Sequence, residues 1–173
     1  MRMRHAAFCP APSVFAFLFS ALTAAACPAP GAIYAPALED PLAEAVTITL
    51  SQPAPDDRMA NSGLDLRLAL PNRAPFAFGT AQKLGYGSSV AFPRPGNPIH
   101  DSETRPEFLF AAFALGPEGR LIPTPSGVVL EGEDAPTVIQ IAGAGAALWY
   151  GTNGSDRPVI LPEALWYLVS CGP

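Results

Sequence analysis

Charge is scarce in this chain, and positive charge is scarcest: 14% of residues are charged, and Lys83 is the single lysine among ten basic residues. The arginines are scattered, so no basic patch forms that could neutralise phosphates or anionic lipid headgroups. With a formal net charge of -5, the composition excludes a nucleic-acid partner. Histidine is nearly absent, with only His5 and His100. Cysteine occurs three times, at positions 9, 27 and 171. No C-x-x-C pair and no His/Cys cluster exists, which excludes a thioredoxin-type redox site and a structural zinc. No apolar run reaches the roughly 20 residues of a permanent membrane-spanning helix.

The longest such run is VFAFLFSALTAAAC, residues 14–27. Arg2 and Arg4 precede it, and no acidic residue appears before Glu39. A basic start, an apolar core of about a dozen residues and then small residues form the order of an export leader, because a signal peptidase accepts only small side chains beside the bond it cuts. Ala24, Ala25 and Ala26 supply them. Residues 1–26 are therefore expected to be a signal peptide, and the delivered chain to begin at Cys27.

The segment LTAAAC, residues 22–27, resembles the lipobox of bacterial lipoproteins. The resemblance implies diacylation of Cys27 and a lipid anchor in the membrane. Where this family prefers leucine three positions before the cysteine, the chain has Ala24, and Pro28 follows the cysteine directly. The alternative is plain cleavage after Ala26. Cys9 leaves with the leader, so Cys27 and Cys171 then remain at opposite ends of the chain, free to pair in an oxidising compartment.

Twenty-one prolines and fifteen glycines, against a hydrophobic fraction of 49%, favour many short strands joined by turns over long helices or disorder. Residues 27–44, with Pro28, Pro30, Pro36 and Pro41 among alanines, read as an extended Pro/Ala-rich linker. From residue 45 onward, period-two alternation dominates. In 46–50 (VTITL) and 64–70 (LDLRLAL) apolar residues alternate with threonines, or with Asp65 and Arg67. Further strands are expected at 76–81, 86–92, 107–115, 121–122, 128–130, 137–142, 146–150, 159–161 and 165–170. Short, regularly spaced strands predict an all-β domain over 45–173, an immunoglobulin-like or related antiparallel β-sandwich. The Cys, Trp, Cys spacing of a true immunoglobulin domain is absent.

Few residues stand out chemically. The stretch VIQIAGAGAAL, residues 138–148, has the glycines of a dinucleotide loop but Leu148 in place of the third, and too little chain follows for a βαβ unit. No cofactor is expected. His100, Asp101 and Ser102 are catalytic residue types, yet neighbours on an extended chain point apart, whereas a triad converges. Asp56 with Asp57, and Glu131, Glu133 and Asp134, offer hard oxygen ligands without the spacing of a calcium loop. Leu-Trp-Tyr occurs twice, at 148–150 and 165–167. In a strand Trp and Tyr of each pair face opposite ways, so one is core and the other can meet a ligand. Trp149, Tyr150, Trp166 and Tyr167 are thus the candidate ligand contacts.

The sequence reading is an exported, membrane-tethered, non-enzymatic domain that serves as a binding or assembly component of the cell envelope, in the periplasm or beyond. Its partner would be an envelope protein or polysaccharide. The competing expectations are a secreted enzyme or enzyme inhibitor acting through the proline-rich loop at 93–106, and a carbohydrate-binding module.

Overall fold

Alternating side chains need a common interior, and here the strands find it by closing on themselves. A computed structural model describes residues 27–37, 46–57, 62–83, 89–100, 106–161 and 163–172; the leader and the 38–44 part of the expected linker lie outside them. The strands are β1 (Ile33–Pro36), β2 (Thr47–Ser51), β3 (Asp65–Ala69), β4 (Phe76–Gln82), β5 (Ser89–Pro93), β6 (Phe108–Leu115), β7 (Leu121–Pro123), β8 (Val138–Ala142) and β9 (Leu165–Ser170). Every pairing between neighbours is antiparallel. Eight of the strands form a ring in the order β1-β2-β3-β4-β5-β6-β8-β9, shut by β9 pairing with β1. β7 hangs off β6 outside the ring.

The all-β, antiparallel expectation holds, while the sandwich gives way to a closed barrel. Inward and outward residues alternate identically along a strand in both architectures, so period two does not separate them. What separates them is long-range: Tyr34 and Pro36 register against Leu168 and Trp166, and Ser89 and Ala91 against Phe110 and Phe108. Closure also removes the two free sheet edges that a sandwich would carry.

One parity of each strand faces the axis. Register puts Ile48 beside Leu68, Leu66 beside Phe78, Phe110 beside Ile141 and Ile139 beside Trp166, and all eight are buried. Phe78 meets Phe108 edge to face at 6.0 Å between centroids, the preferred aromatic geometry. Small residues sit against large ones, as with Ala91 opposite Phe108 and Ala112 opposite Ile139. An eight-stranded barrel is just wide enough for such side chains to fill, so this one holds a packed core and not a channel.

Three expectations need correction. Residues 33–36, taken as tether, form β1, a ring strand flanked by β2 and β9; Pro36 ends it, and Tyr34 is fully buried, its hydroxyl donating to the Pro136 carbonyl at 2.9 Å. Burial drives the Tyr34 pKa well above the ordinary phenol value. Residues 146–150, taken as a strand, belong to α1 (Ala144–Thr152). Gly143 enters this helix at φ 87°, a left-handed conformation that favours glycine. The Glu163 carboxylate accepts from the Gly143 and Gly145 amides at 3.1 and 3.2 Å, and so satisfies donors that the first helical turn leaves open. Ala144 and Leu148 on α1, with Ile99, Val159 and Leu161, join the core at one end of the barrel. At the other end Ala29, Leu64 and Val129 do so, tied by a bond from the Leu64 amide to the Val129 carbonyl at 2.7 Å. Residues 128–130 and 159–161, expected as strands, supply these plugs without joining the sheet.

Candidate functional site

The terminal cysteines come together. Cys27 and Cys171 form a disulfide, their Cα atoms 5.4 Å apart and 144 residues apart in sequence. It lies beside the β1–β9 seam, where the barrel closes. The pairing is the one expected for these two cysteines after plain cleavage behind Ala26.

The four candidate aromatics do not form one surface. Trp166 is 1% exposed and belongs to the core, while Tyr167 on the opposite parity is half-buried. Trp149 and Tyr150 follow the helical rule and not the strand rule: α1 buries Ala144, Gly145, Leu148 and Thr152. That leaves Trp149 41% and Tyr150 75% exposed, both open to solvent.

The first part of the 93–106 loop is pinned to the barrel's outer wall. Arg94 grips Asp65 through Nη2 at 2.8 Å and Nε at 3.2 and 3.3 Å, with both residues buried. Its guanidinium lies 5.0 Å from the Phe92 ring centroid. Asn97 donates to the Ala77 carbonyl at 3.2 Å and accepts from the Ile99 amide. Ile99 is buried beside Gly151 of α1. His100 closes this turn with its amide bonded to the Asn97 carbonyl at 2.9 Å; Asp101 and Ser102 lie outside the described residues. Asp56 and Asp57 occupy a single helical turn, and Glu133 accepts from the Leu130 amide at 2.9 Å as the brace of its own loop. Among the described residues no three His, Cys, Asp or Glu side chains converge as a metal would require, and no helix is long and apolar enough to cross a membrane.

No sequence signal marks a cleft that the described residues form beside β6. β8 occupies one edge of β6 from Leu109 to Phe113. The other edge is shared: β5 pairs with Phe108 to Phe110, and β7 pairs with Phe113 to Leu115. Where β5 stops and β7 has not begun, the Thr124 amide reaches across to the Ala112 carbonyl at 2.9 Å, and a half-open cleft of about 390 Å³ remains. Ser89 and Thr124 stand on its two sides. Ser89 is 3% exposed, and the hydroxyls of both residues are buried with no hydrogen-bond partner among the described residues. A missing stretch of strand pairing leaves no local pattern in a sequence, which is why nothing pointed here. No protein-family profile matches the chain, and comparison with curated proteins and with solved structures finds no match.

Proposed function

We propose that this protein is exported and acts in the cell envelope as a non-enzymatic barrel that binds a partner or takes part in assembly. The observation that carries the reading is the Cys27–Cys171 disulfide, which starts one residue after the expected cleavage point. Structural disulfides persist in oxidising compartments such as the periplasm and are rare in the cytosol. The leader and the bridge therefore argue for the same destination from independent chemistry. With the interior packed solid, contact with a partner falls to the outer wall and its clefts. Acylation competes for the same sulfur, so within this reading the bridged form is not lipid-anchored.

Fractionation of the producing cell tests the proposal. The expected result is a chain beginning at Cys27, outside the cytoplasm, in the aqueous phase of a detergent partition, with no free thiol after denaturation. A chain that keeps residues 1–26 in the cytoplasm overturns export; Cys27 carrying fatty acid overturns the untethered form and restores the anchor.

A carbohydrate-binding reading has one observation in its favour, the joint exposure of Trp149 and Tyr150 on α1. Aromatic faces open to solvent stack on sugar rings. Quenching or shifting of tryptophan fluorescence by envelope polysaccharide, lost in Trp149→Ala, would support it; Trp166 is buried and gives a constant background.

A further inference from the structure

We propose that the Cys27–Cys171 bridge is a thiol-exchange site with a fixed direction: the thiolate of a dithiol oxidoreductase attacks Cys171, and Cys27 stays behind as the resolving cysteine. The proposal rests on reading the bridge as one formed in an oxidising compartment, and it names the class of partner that makes and breaks it. Three observations carry it. Cys171 is exposed, whereas Cys27 is half-buried and packs against the core. The backbone around Cys27 is held by bonds that do not depend on the bridge. The first and last described segments cross in close contact at Gly31 and Gly172.

Disulfide exchange proceeds by attack of a thiolate on one sulfur, through a mixed disulfide, so the sulfur that a partner can reach decides the intermediate. Cys171 directly follows Ser170, the last residue of β9, and is open to solvent. Attack at Cys27 instead has to displace the contacts that this residue makes with the core. In the favoured step the partner's thiolate bonds to the Cys171 sulfur, and the electron pair of the broken bond leaves on the Cys27 sulfur. A second thiolate of the partner then attacks the partner's own half of the mixed disulfide and releases the Cys171 thiolate. The bridge is thereby reduced by two electrons, and the partner's dithiol is oxidised to a disulfide. Run backwards, the same two steps insert the bridge: Cys171 attacks the oxidised partner, and Cys27 resolves the mixed disulfide.

Cys27 suits the resolving role because its backbone is tied down with or without the bridge. Its carbonyl accepts from the Ala135 amide at 2.7 Å, the Ala29 amide donates to the Glu133 carbonyl at 3.1 Å, and Pro28 pairs with Asp134 between them. Ala29 itself is fully buried. A nucleophile held beside its target reacts faster than one that must first be brought there. Gly172 supplies the matching half. A Cβ on it would stand 2.7 Å from the Gly31 carbonyl oxygen, so a side chain there would push the residue after Cys171 off the N-terminal segment. Gly172 is therefore a positioning residue for the resolving step and has no part in the first.

Glutathione is the probe, used on the intact bridged protein without denaturant. After reaction with reduced glutathione, acid quenching and alkylation of free thiols, mass spectrometry of the peptides locates the adduct. Glutathione should sit on Cys171 and the alkyl group on Cys27, with a preference of at least about tenfold over the reverse arrangement. In the single variants, the Cys171 thiol of Cys27→Ser should react with glutathione disulfide at least about tenfold faster than the Cys27 thiol of Cys171→Ser, and the two rates should converge in urea, where burial is lost. Gly172→Ala should leave the first step at Cys171 within about twofold and slow closure by Cys27 by about fivefold or more, so that the glutathione adduct accumulates when the reduced protein is reoxidised with glutathione disulfide. A general loss of structure would not separate the two steps in this way.

Glutathione found on Cys27, or equal rates for the two single variants without denaturant, would overturn the direction of exchange. A Gly172→Ala protein in which both steps slow together, or neither does, would overturn the positioning role. If a single variant fails to fold, the adduct on the wild-type protein decides the direction by itself. These outcomes are separate from the fate of the envelope reading: a protein found exported and bridged that takes glutathione on Cys27 loses this inference alone, and one retained in the cytoplasm that exchanges through Cys171 loses the export proposal alone.

Discussion

Arg67 and Leu68 are neighbours on β3 with opposite fates, and the difference is a matter of which way each Cβ points. Leu68 is buried against Ile48 and Phe76 in register, while Arg67 is exposed. Leu68→Ala removes buried methyl groups and leaves a cavity, so it should cost about 2 to 5 kcal/mol; Arg67→Ala should cost under about 1. Urea melts that give equal losses for both would contradict the inward parity of β3. Asp65 on the same strand breaks the simple pattern. It points outward by parity yet is buried, because Arg94 folds back over the outer wall to meet it. Removing one member of such a pair strands a buried charge, so Arg94→Met should cost about 3 to 5 kcal/mol, and the double change Asp65→Leu/Arg94→Met less than that single one. A double variant less stable than Arg94→Met would show that the cost of the single change does not come from the carboxylate left behind. The leucines were legible from sequence because alternation reports on burial directly. Asp65 was not, because its cover comes from 29 residues away.

Elements were legible in proportion to how local their causes are. Strands β2, β3, β6, β8 and β9 fall where alternation or β-branched and aromatic runs placed them. α1 was taken for a strand because AGAALWYGT holds two glycines and no charged residue, so its alanines and leucine come without the polar face that marks a surface helix. Its causes are distant: the Glu163 carboxylate on its first amides, and the Leu161 backbone packed against Gly145. A Cβ at Gly145 would stand 2.3 Å from the Leu161 oxygen, closer than any real contact, so Gly145→Ala should destabilise the protein despite alanine's better helix propensity. Thermal melts settle the sign, and a stabilised variant would mean that α1 is not docked on the 159–161 segment. β1 was missed because Ala35 and Pro36 read as linker with the prolines and alanines around them, while one of its two partners, β9, lies at the far end of the described chain. The cleft at Ser89 and Thr124 had no sequence signal at all; it exists because two strands share one edge of β6 and fail to meet.

At the scale of the whole molecule, an up-and-down barrel has one seam that chain order does not hold, the pairing of its first ring strand with its last. Every other ring contact joins strands that follow one another, apart from the β7 excursion, whereas β1 and β9 are the first and last of the described strands. The Cys27–Cys171 bridge sits at that seam and spans 144 residues. In the chain-entropy account, closing a loop of this length lowers the freedom of the unfolded chain by about 5 kcal/mol, and removal of a native bridge commonly costs about 2 to 5. Cys27→Ser, Cys171→Ser and the wild type under reducing conditions all lose the same single constraint. Their denaturation midpoints should therefore fall together, well below the oxidised wild type, and the double substitution should fall no further than either single one. Amide exchange should rise first along the edges that β1 and β9 present to each other, because that seam loses its clamp while the hairpin-linked strands keep theirs. Equal stability with and without reductant would mean that the β1–β9 pairing holds by itself and that the bridge serves something other than closure. A Cys27→Ser protein that loses far more stability than the Cys171→Ser protein would mean that Cys27 contributes by its packing against the core as well as through the bridge.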